Sequence, residues 1–323
     1  MAKIVKVLSI DGGGMRGIIP AMVLAEIEKR TRKPVAELFD LVAGTSTGGI
    51  LALALTRPDN AGKPAYPAEQ LISFYEDEGQ EIFSRTIWHR IRAVGNIFEE
   101  RYPSKGIEAA LEKYFGDVRL KDALTDVLVT SYEIEKRLPW FFKSRRAKTE
   151  PDYDYPMKVV ARATSAAPTY FEPSKYPADD AFKYSAWIDG GVFANNPTLC
   201  AFAEARKVFP AAEDFVVVSL GTGELTRTIP YDEAKGWGVA GWARPLLAVM
   251  FQGVSASVDY QMEQMLPPQG QDRRYYRFEC RLDMGNDDMD DASKTNLHAL
   301  ITLAENMITN RTAELDAVCK QLV

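Results

Sequence analysis

Residues 38–55 read LFDLVAGTSTGGILALAL. The apolar run 38–43 has the composition of a buried strand, and 44–49 is a turn of Gly, Thr and Ser. Ile50 to Leu55 then open an apolar helix. A strand that breaks sharply into a helix is the unit from which mostly parallel α/β sheets are built. The first residues repeat the pattern. Residues 4–10, IVKVLSI, are rich in β-branched residues and stop at a glycine cluster, 12–17. Residues 18–30 follow with helical spacing, and Pro20 suits a first helical turn, where its missing donor costs nothing.

Further along, 57–67 is a loop with three prolines, and 68–115 is mainly helical. Strands are expected at 126–132, 139–143 and 214–220. The polar stretch 144–156 reads as a surface loop. Residues 296–318 carry apolar positions at helical spacing and read as one C-terminal amphipathic helix. No internal repeat or linker divides the chain. The expectation is one domain over 1–323, with its motifs in about 4–223 and a C-terminal elaboration over 224–323.

Composition bounds the function. Lysine and arginine number 39 against 45 acidic residues, a net charge of -6, which argues against bulk nucleic-acid binding. The three cysteines, Cys200, Cys280 and Cys319, show neither zinc spacing nor a disulfide framework, which suits a reducing, cytoplasmic compartment. No signal-peptide core is visible at the N-terminus, and no run of about 18 apolar residues suggests a spanning helix. Contact with lipid is therefore expected from the water side, as peripheral contact.

Gly44-Thr45-Ser46-Thr47-Gly48 fits G-x-S-x-G in the strand–turn–helix setting that a nucleophile elbow needs. The bland reading is a small-residue turn capping a helix. Asp11-Gly12-Gly13-Gly14-Met15-Arg16-Gly17 also matches a dinucleotide fingerprint. That reading requires an acidic residue closing the second strand to hold a ribose; here the strand ends in Ala43-Gly44-Thr45-Ser46 instead. The other use of such a loop is an oxyanion hole, its amides turned toward a tetrahedral intermediate.

A serine nucleophile needs a base. Of the two histidines, His89 lies in a basic aromatic stretch and His298 in the C-terminal helix. His298 remains a rival base, because it follows in the Ser–Asp–His order of α/β-hydrolases. Asp189-Gly190-Gly191 is the better candidate: it ends an aromatic run and enters a loop dense in turn formers. An aspartate base is weak, with a free pKa near about 4, and desolvation would strengthen it.

Taken in order, DGGGMRG at 11–17, GTSTG at 44–48 and DGG at 189–191 resemble the patatin-like phospholipases, in their bacterial form at the last motif. The resemblance extends to ATSAAPTYFEP at 163–173, DGGVFANNP at 189–197 and SLGTG at 219–223. It implies a three-layer α/β/α fold and hydrolysis of phospholipids or other acyl-ester lipids, with neither a metal nor an organic cofactor. It also implies a Ser–Asp dyad of Ser46 and Asp189, with an oxyanion hole at Gly12, Gly13 and Gly14 and Arg16 beside it. Two variants of that reading stand beside it: the same hydrolase gated by a cyclic dinucleotide as an antiviral effector, and a lipid-binding module without catalysis.

Two stretches are left over. Trp237-Gly238-Val239-Ala240-Gly241-Trp242 precedes LLAVMF at 246–251 and reads either as a lid or membrane-docking surface or as a core helix. Arg85, His89, Arg90 and Arg92 alternate with Phe83, Ile87, Trp88 and Ile91, as a solvated amphipathic helix or a contact for lipid phosphates.

Overall fold

The structure is a computed structural model that describes residues 3–82, 104–180, 182–270, 273–284 and 287–323. Its centre is an eight-stranded sheet in the order β5-β6-β3-β2-β1-β7-β8, with β4 paired to β3 off that path. The strands are β1 (Ile4–Ile10), β2 (Leu41–Thr45), β3 (Asp126–Glu133), β4 (Leu138–Lys143), β5 (Ser174–Tyr176), β6 (Ser185–Asp189), β7 (Asp214–Leu220) and β8 (Tyr275–Phe278). β3, β2, β1, β7 and β8 run parallel, whereas β6 and β4 pair with β3 antiparallel.

Alternation along the strands sorts the two faces. Val5, Val7, Leu41 and Ala43 point to one side, Leu8, Ile10 and Val42 to the other. Numbering helices of eight residues or more, the larger core receives α1 (Ile18–Thr31), α2 (Thr47–Thr56), α3 (Ser104–Phe115), α4 (Met157–Thr164), α7 (Lys294–Asn310) and α8 (Thr312–Leu322). The opposite face receives α5 (Thr198–Val208) and the end of α6 (Val239–Met265). This is the three-layer α/β/α arrangement that the resemblance implies, around the mostly parallel sheet expected from the strand–turn–helix units.

Several boundaries differ, for identifiable reasons. Residues 38–40 are not strand: Val35–Leu38 is a short helix, and β2 starts only after the Lys6 amide donates to Asp40 Oδ2 at 2.8 Å. The segment 144–156 is not a plain surface loop, because Ser144 is buried and its Oγ accepts the Val127 amide at 2.8 Å. The C-terminal helix is two helices. Arg311, between α7 and α8, donates inward to the Arg277 carbonyl at 2.6 Å and lies 4.5 Å from the centre of the Phe278 ring. β5, β6 and β8 are further strands of three, five and four residues, lacking the run of branched aliphatic residues that marks β1 and β7. No helix among the described residues is long and apolar enough to cross a membrane.

The topology decides where chemistry can occur. β2, β1 and β7 are parallel neighbours, with Ile10 level with Gly44 on one side and Leu220 on the other. The loops that follow them, 44–48, 11–17 and 221–223, therefore emerge together at one edge of the sheet, the usual place for a ligand.

Candidate active site

The turn after β2 is a strained elbow. Ser46 has φ 55 and ψ -125, outside the conformations a side-chain-bearing residue prefers. Glycines on either side make the turn possible. A Cβ on Gly44 would lie 2.1 Å from the Gly48 carbonyl oxygen, and one on Gly48 would lie 2.2 Å from that of Ile10. Hydrogen bonds hold the turn. The Ser46 amide donates to Thr164 Oγ1 at 2.8 Å, Thr164 donates to the Thr130 carbonyl at 2.7 Å, and the Thr47 and Tyr75 hydroxyls meet at 2.6 Å. Ser46 itself is half-buried at the N-terminus of α2.

Asp189 reaches the same spot from the far side of β3. It pairs with Ser131, one residue beyond Thr130, which is level with Thr45. Gly190 lets the chain pass over Thr130, where a Cβ would sit 2.2 Å from the hydroxyl. Asp189 is buried, and burial pushes its pKa up to about 7, with the Ser46 hydroxyl and the Gly191 amide pulling the other way. Oδ1 accepts the Gly191 amide at 2.7 Å, while Oδ2 is buried without a partner in hydrogen-bonding geometry. Ser46 and Asp189 line one apolar pocket of about 60 Å³, walled by Ile50, Phe74, Ile107, Phe171 and Phe251.

The glycine loop sits against the elbow, since a Cβ on Gly12 would be 3.1 Å from that of Ser46. The expectation of three free amides narrows to two. The Gly12 amide donates to the Asn195 carbonyl at 3.0 Å, whereas the amides of Gly13 and Gly14, which line the pocket, have no such partner among the described residues. Their orientation is secured through the carbonyls. Thr222 Oγ1 donates to the Gly12 oxygen at 2.7 Å, and Arg16 Nε donates to the Gly13 oxygen at 3.2 Å. In a trans peptide the N–H points opposite to the C=O, so anchoring these oxygens turns the Gly13 and Gly14 amides the other way. Arg16 thus acts on the loop's backbone, and it lines a second, wider cleft rather than the Ser46 pocket.

Behind the loop lies a buried ion cluster. Arg277 Nη1 and Nη2 donate to the two oxygens of Asp11 at 3.0 and 2.7 Å, and Nη2 also donates to Glu279 at 2.6 Å. Burial raises the Asp11 pKa to about 6 against the pull of Arg277. Burial opposes the charge of Arg277, yet Asp11 and Glu279 hold its pKa well above the ordinary value. Glu279 in turn accepts the Gly223 amide at 2.7 Å, which steadies the turn carrying Thr222. Sequence reasoning missed the roles of Arg277, Glu279, Thr164 and Thr222; only the two threonines had a signal, inside ATSAAP and SLGTG.

The rival base is not at this site: His298 is exposed on α7 and does not line the Ser46 pocket. His89 and the basic aromatic stretch, Phe83 to Arg92, lie outside the described residues. The leftover tryptophan segment leads into and opens a long helix with a buried and an exposed side. α6 buries Phe251 and Met262 but exposes Val239, Trp242, Leu246 and Val249.

A sheet with a strained serine elbow and a carboxylate beside it defines an α/β protein of the nucleophile-elbow class. The profile described as Patatin-like phospholipase matches residues 8–202. Patatin-like protein 4 of Arabidopsis thaliana is 32% identical over 334 residues, covering 94% of this chain and 83% of that relative. Patatin-like protein 2 of Oryza sativa subsp. indica is 32% identical over 349 residues, covering 97% of this chain and 86% of that relative. Human GIVD cytosolic phospholipase A2 overlays with a TM-score of 0.45 at 12% identity, over 99% of this chain and 60% of that one. The chain belongs to the patatin-like phospholipase family, and so to a class of lipid acyl hydrolases.

Proposed function

We propose that the protein releases fatty acids from membrane phospholipids or related acyl-ester lipids, with Ser46 as nucleophile and Asp189 as its only base. One observation carries the reading: a serine held at φ 55 beside a buried carboxylate whose Oδ2 has no hydrogen-bond partner among the described residues. Ser46 Oγ attacks the ester carbonyl carbon as its proton passes to Asp189 Oδ2. The amides of Gly13 and Gly14 take the oxyanion, each such donor being worth about 2.7–4 kcal/mol in comparable sites. The C–O bond breaks, and Asp189 returns the proton to the leaving alcohol oxygen. Asp189 then takes a proton from water as the water oxygen attacks the acyl-enzyme carbonyl; the bond to Ser46 Oγ breaks, Asp189 returns the proton to Oγ, and the fatty acid leaves. The apolar walls of the Ser46 pocket suit the acyl chain.

The reading extends to peripheral membrane contact through the exposed side of α6, and to a reducing, cytoplasmic compartment, in keeping with three free cysteines. A gated form of the enzyme, switched on by a lipid surface or by a cyclic dinucleotide as in an antiviral effector, is the second reading; it is supported by Ser46 being only half-exposed among apolar walls.

Fatty acid release from mixed phospholipid liposomes, read by mass spectrometry, tests the reading. Wild type, Ser46→Ala, Asp189→Asn and His298→Ala are compared with and without cyclic dinucleotides. Release by wild type and His298→Ala alone is expected. Loss in His298→Ala would replace the dyad by a triad, and dependence on one nucleotide would establish gating. Silent wild type that still binds liposomes as well as Ser46→Ala does would favour the lipid-binding module.

A further inference from the structure

One short segment, 189–195, joins the three parts of the site. Asp189 opens it. Thr45, the last residue of β2, donates to the Ala194 carbonyl at 2.6 Å, and the Asn195 carbonyl accepts the Gly12 amide at 3.0 Å. Building on the hydrolase reading above, we propose that the side chain of Asn195 is a positioning residue for catalysis, setting the Gly13 amide toward the oxyanion.

The first argument is where its donors go. Asn195 is 7% exposed, and its Nδ2 donates to the Gly12 oxygen at 3.4 Å and to Ser255 Oγ of α6 at 3.2 Å. One residue thus holds Gly12 at both its amide and its carbonyl. The Gly12 oxygen belongs to the peptide whose N–H is that of Gly13, so whatever turns the oxygen turns that N–H. Thr222 Oγ1 reaches the same oxygen at 2.7 Å. A single donor lets the peptide swing about the line joining the two atoms; a second donor, from another segment, stops the swing. A Cβ on Gly12 would lie 2.5 Å from Asn195 Oδ1 and 3.1 Å from the Ser46 Cβ, so Asn195 bears on the loop where it passes the nucleophile.

The second argument is the direction of the network. Ser255 Oγ donates to Asp11 Oδ2 at 3.3 Å. The chain therefore runs from Nδ2 through the hydroxyl to a carboxylate, donor to acceptor throughout. Asp11 precedes Gly12 and is itself gripped by Arg277, so the chain ends on a fixed group. Turning the amide over would set Oδ1 against the Gly12 oxygen. As it stands, Oδ1 is buried without a partner among the described residues, a cost that an apolar side chain of similar size would avoid. The two N–H groups are the reason for an amide at this position.

The test compares Asn195→Ala, Thr222→Val and the double variant on a soluble nitrophenyl ester, with circular dichroism as the check on folding. Asn195→Ala should lower kcat about fivefold and leave KM within about twofold, because the loop acts on the transition state rather than on ground-state binding. Either donor alone still restrains the peptide, so the double variant should lose about 10²–10³-fold, more than the product of the single losses. Nuclear magnetic resonance of isotopically labelled glycine amides needs no turnover: the Gly13 resonance should shift or broaden in Asn195→Ala. That result with a wild type silent toward every ester would uphold the anchoring and count only against the hydrolase reading. An unmoved Gly13 resonance, a kcat for the double variant no lower than that of Thr222→Val, or a rise in KM at constant kcat would overturn the proposal and leave the hydrolase reading standing. If Asn195→Ala does not fold, Ser255→Ala takes its place in the same comparison, and a kcat no lower than that of Thr222→Val alone would again overturn the proposal.

Discussion

Replacing Asp189 by Asn should make the protein more stable as it makes it inactive, and the gain should depend on pH. The carboxyl moves from an ordinary 3.8 to about 7 on folding because it is buried. A carboxyl whose pKa rises binds its proton more tightly in the native chain, so the fold weakens as pH climbs from about 4 to about 7. The cost is absent below that window and complete above it. At about 1.36 kcal/mol per pH unit, the displacement corresponds to about 4 kcal/mol. Asparagine keeps an Oδ1 for the Gly191 amide and carries no charge, so it removes the cost without opening a cavity. Urea unfolding at pH 4, 6 and 8 should show wild type and Asp189→Asn nearly equal at pH 4. The variant should be ahead by up to about 4 kcal/mol at pH 8, while fatty acid release falls by about 10³-fold or more. The raised pKa of Asp11 is common to both proteins and cancels in the difference. An advantage independent of pH, or a variant weaker at pH 8, would refute a base whose pKa is raised by burial.

Because Asp189 accepts a proton only when ionised, kcat/KM of the wild type should rise with pH and level off above about 7, as read from initial rates on a soluble ester. Arg277→Met strands the Asp11 carboxylate in the interior and should cost about 3–5 kcal/mol by chemical denaturation, with Asp11→Asn in the same chain recovering much of it. Gly14 has φ 58 and leaves no room for a Cβ, which would lie 2.2 Å from the Met289 oxygen. Gly14→Ala should therefore displace one oxyanion donor and lower kcat by about 10²–10³-fold, with folding confirmed by circular dichroism.

What the sequence determined by itself was local. A β-branched run, a glycine turn and an apolar helix lie next to one another in the chain, so β1 with its loop and β2 with its elbow could be read from pattern, and Ser46 with them. The Asp189 motif was visible as a turn suited to hold a base, and the ordered set of motifs gave that role its specificity. What tertiary structure decided is every relation between distant segments. β6 must pair antiparallel with β3 before Asp189 arrives beside Ser46. The Gly12 amide is lost to a carbonyl from the 195 loop, and the glycine loop is anchored by Arg277, 266 residues from Asp11. The aromatic residues of β8 carry no period that marks them as a strand until β7 supplies a partner, and α7 and α8 read as one helix until Arg311 turns inward. Local spacing encodes which face of an element is apolar; it does not encode which element that face will meet, and at this site burial, charge and hydrogen bonding all depend on that meeting.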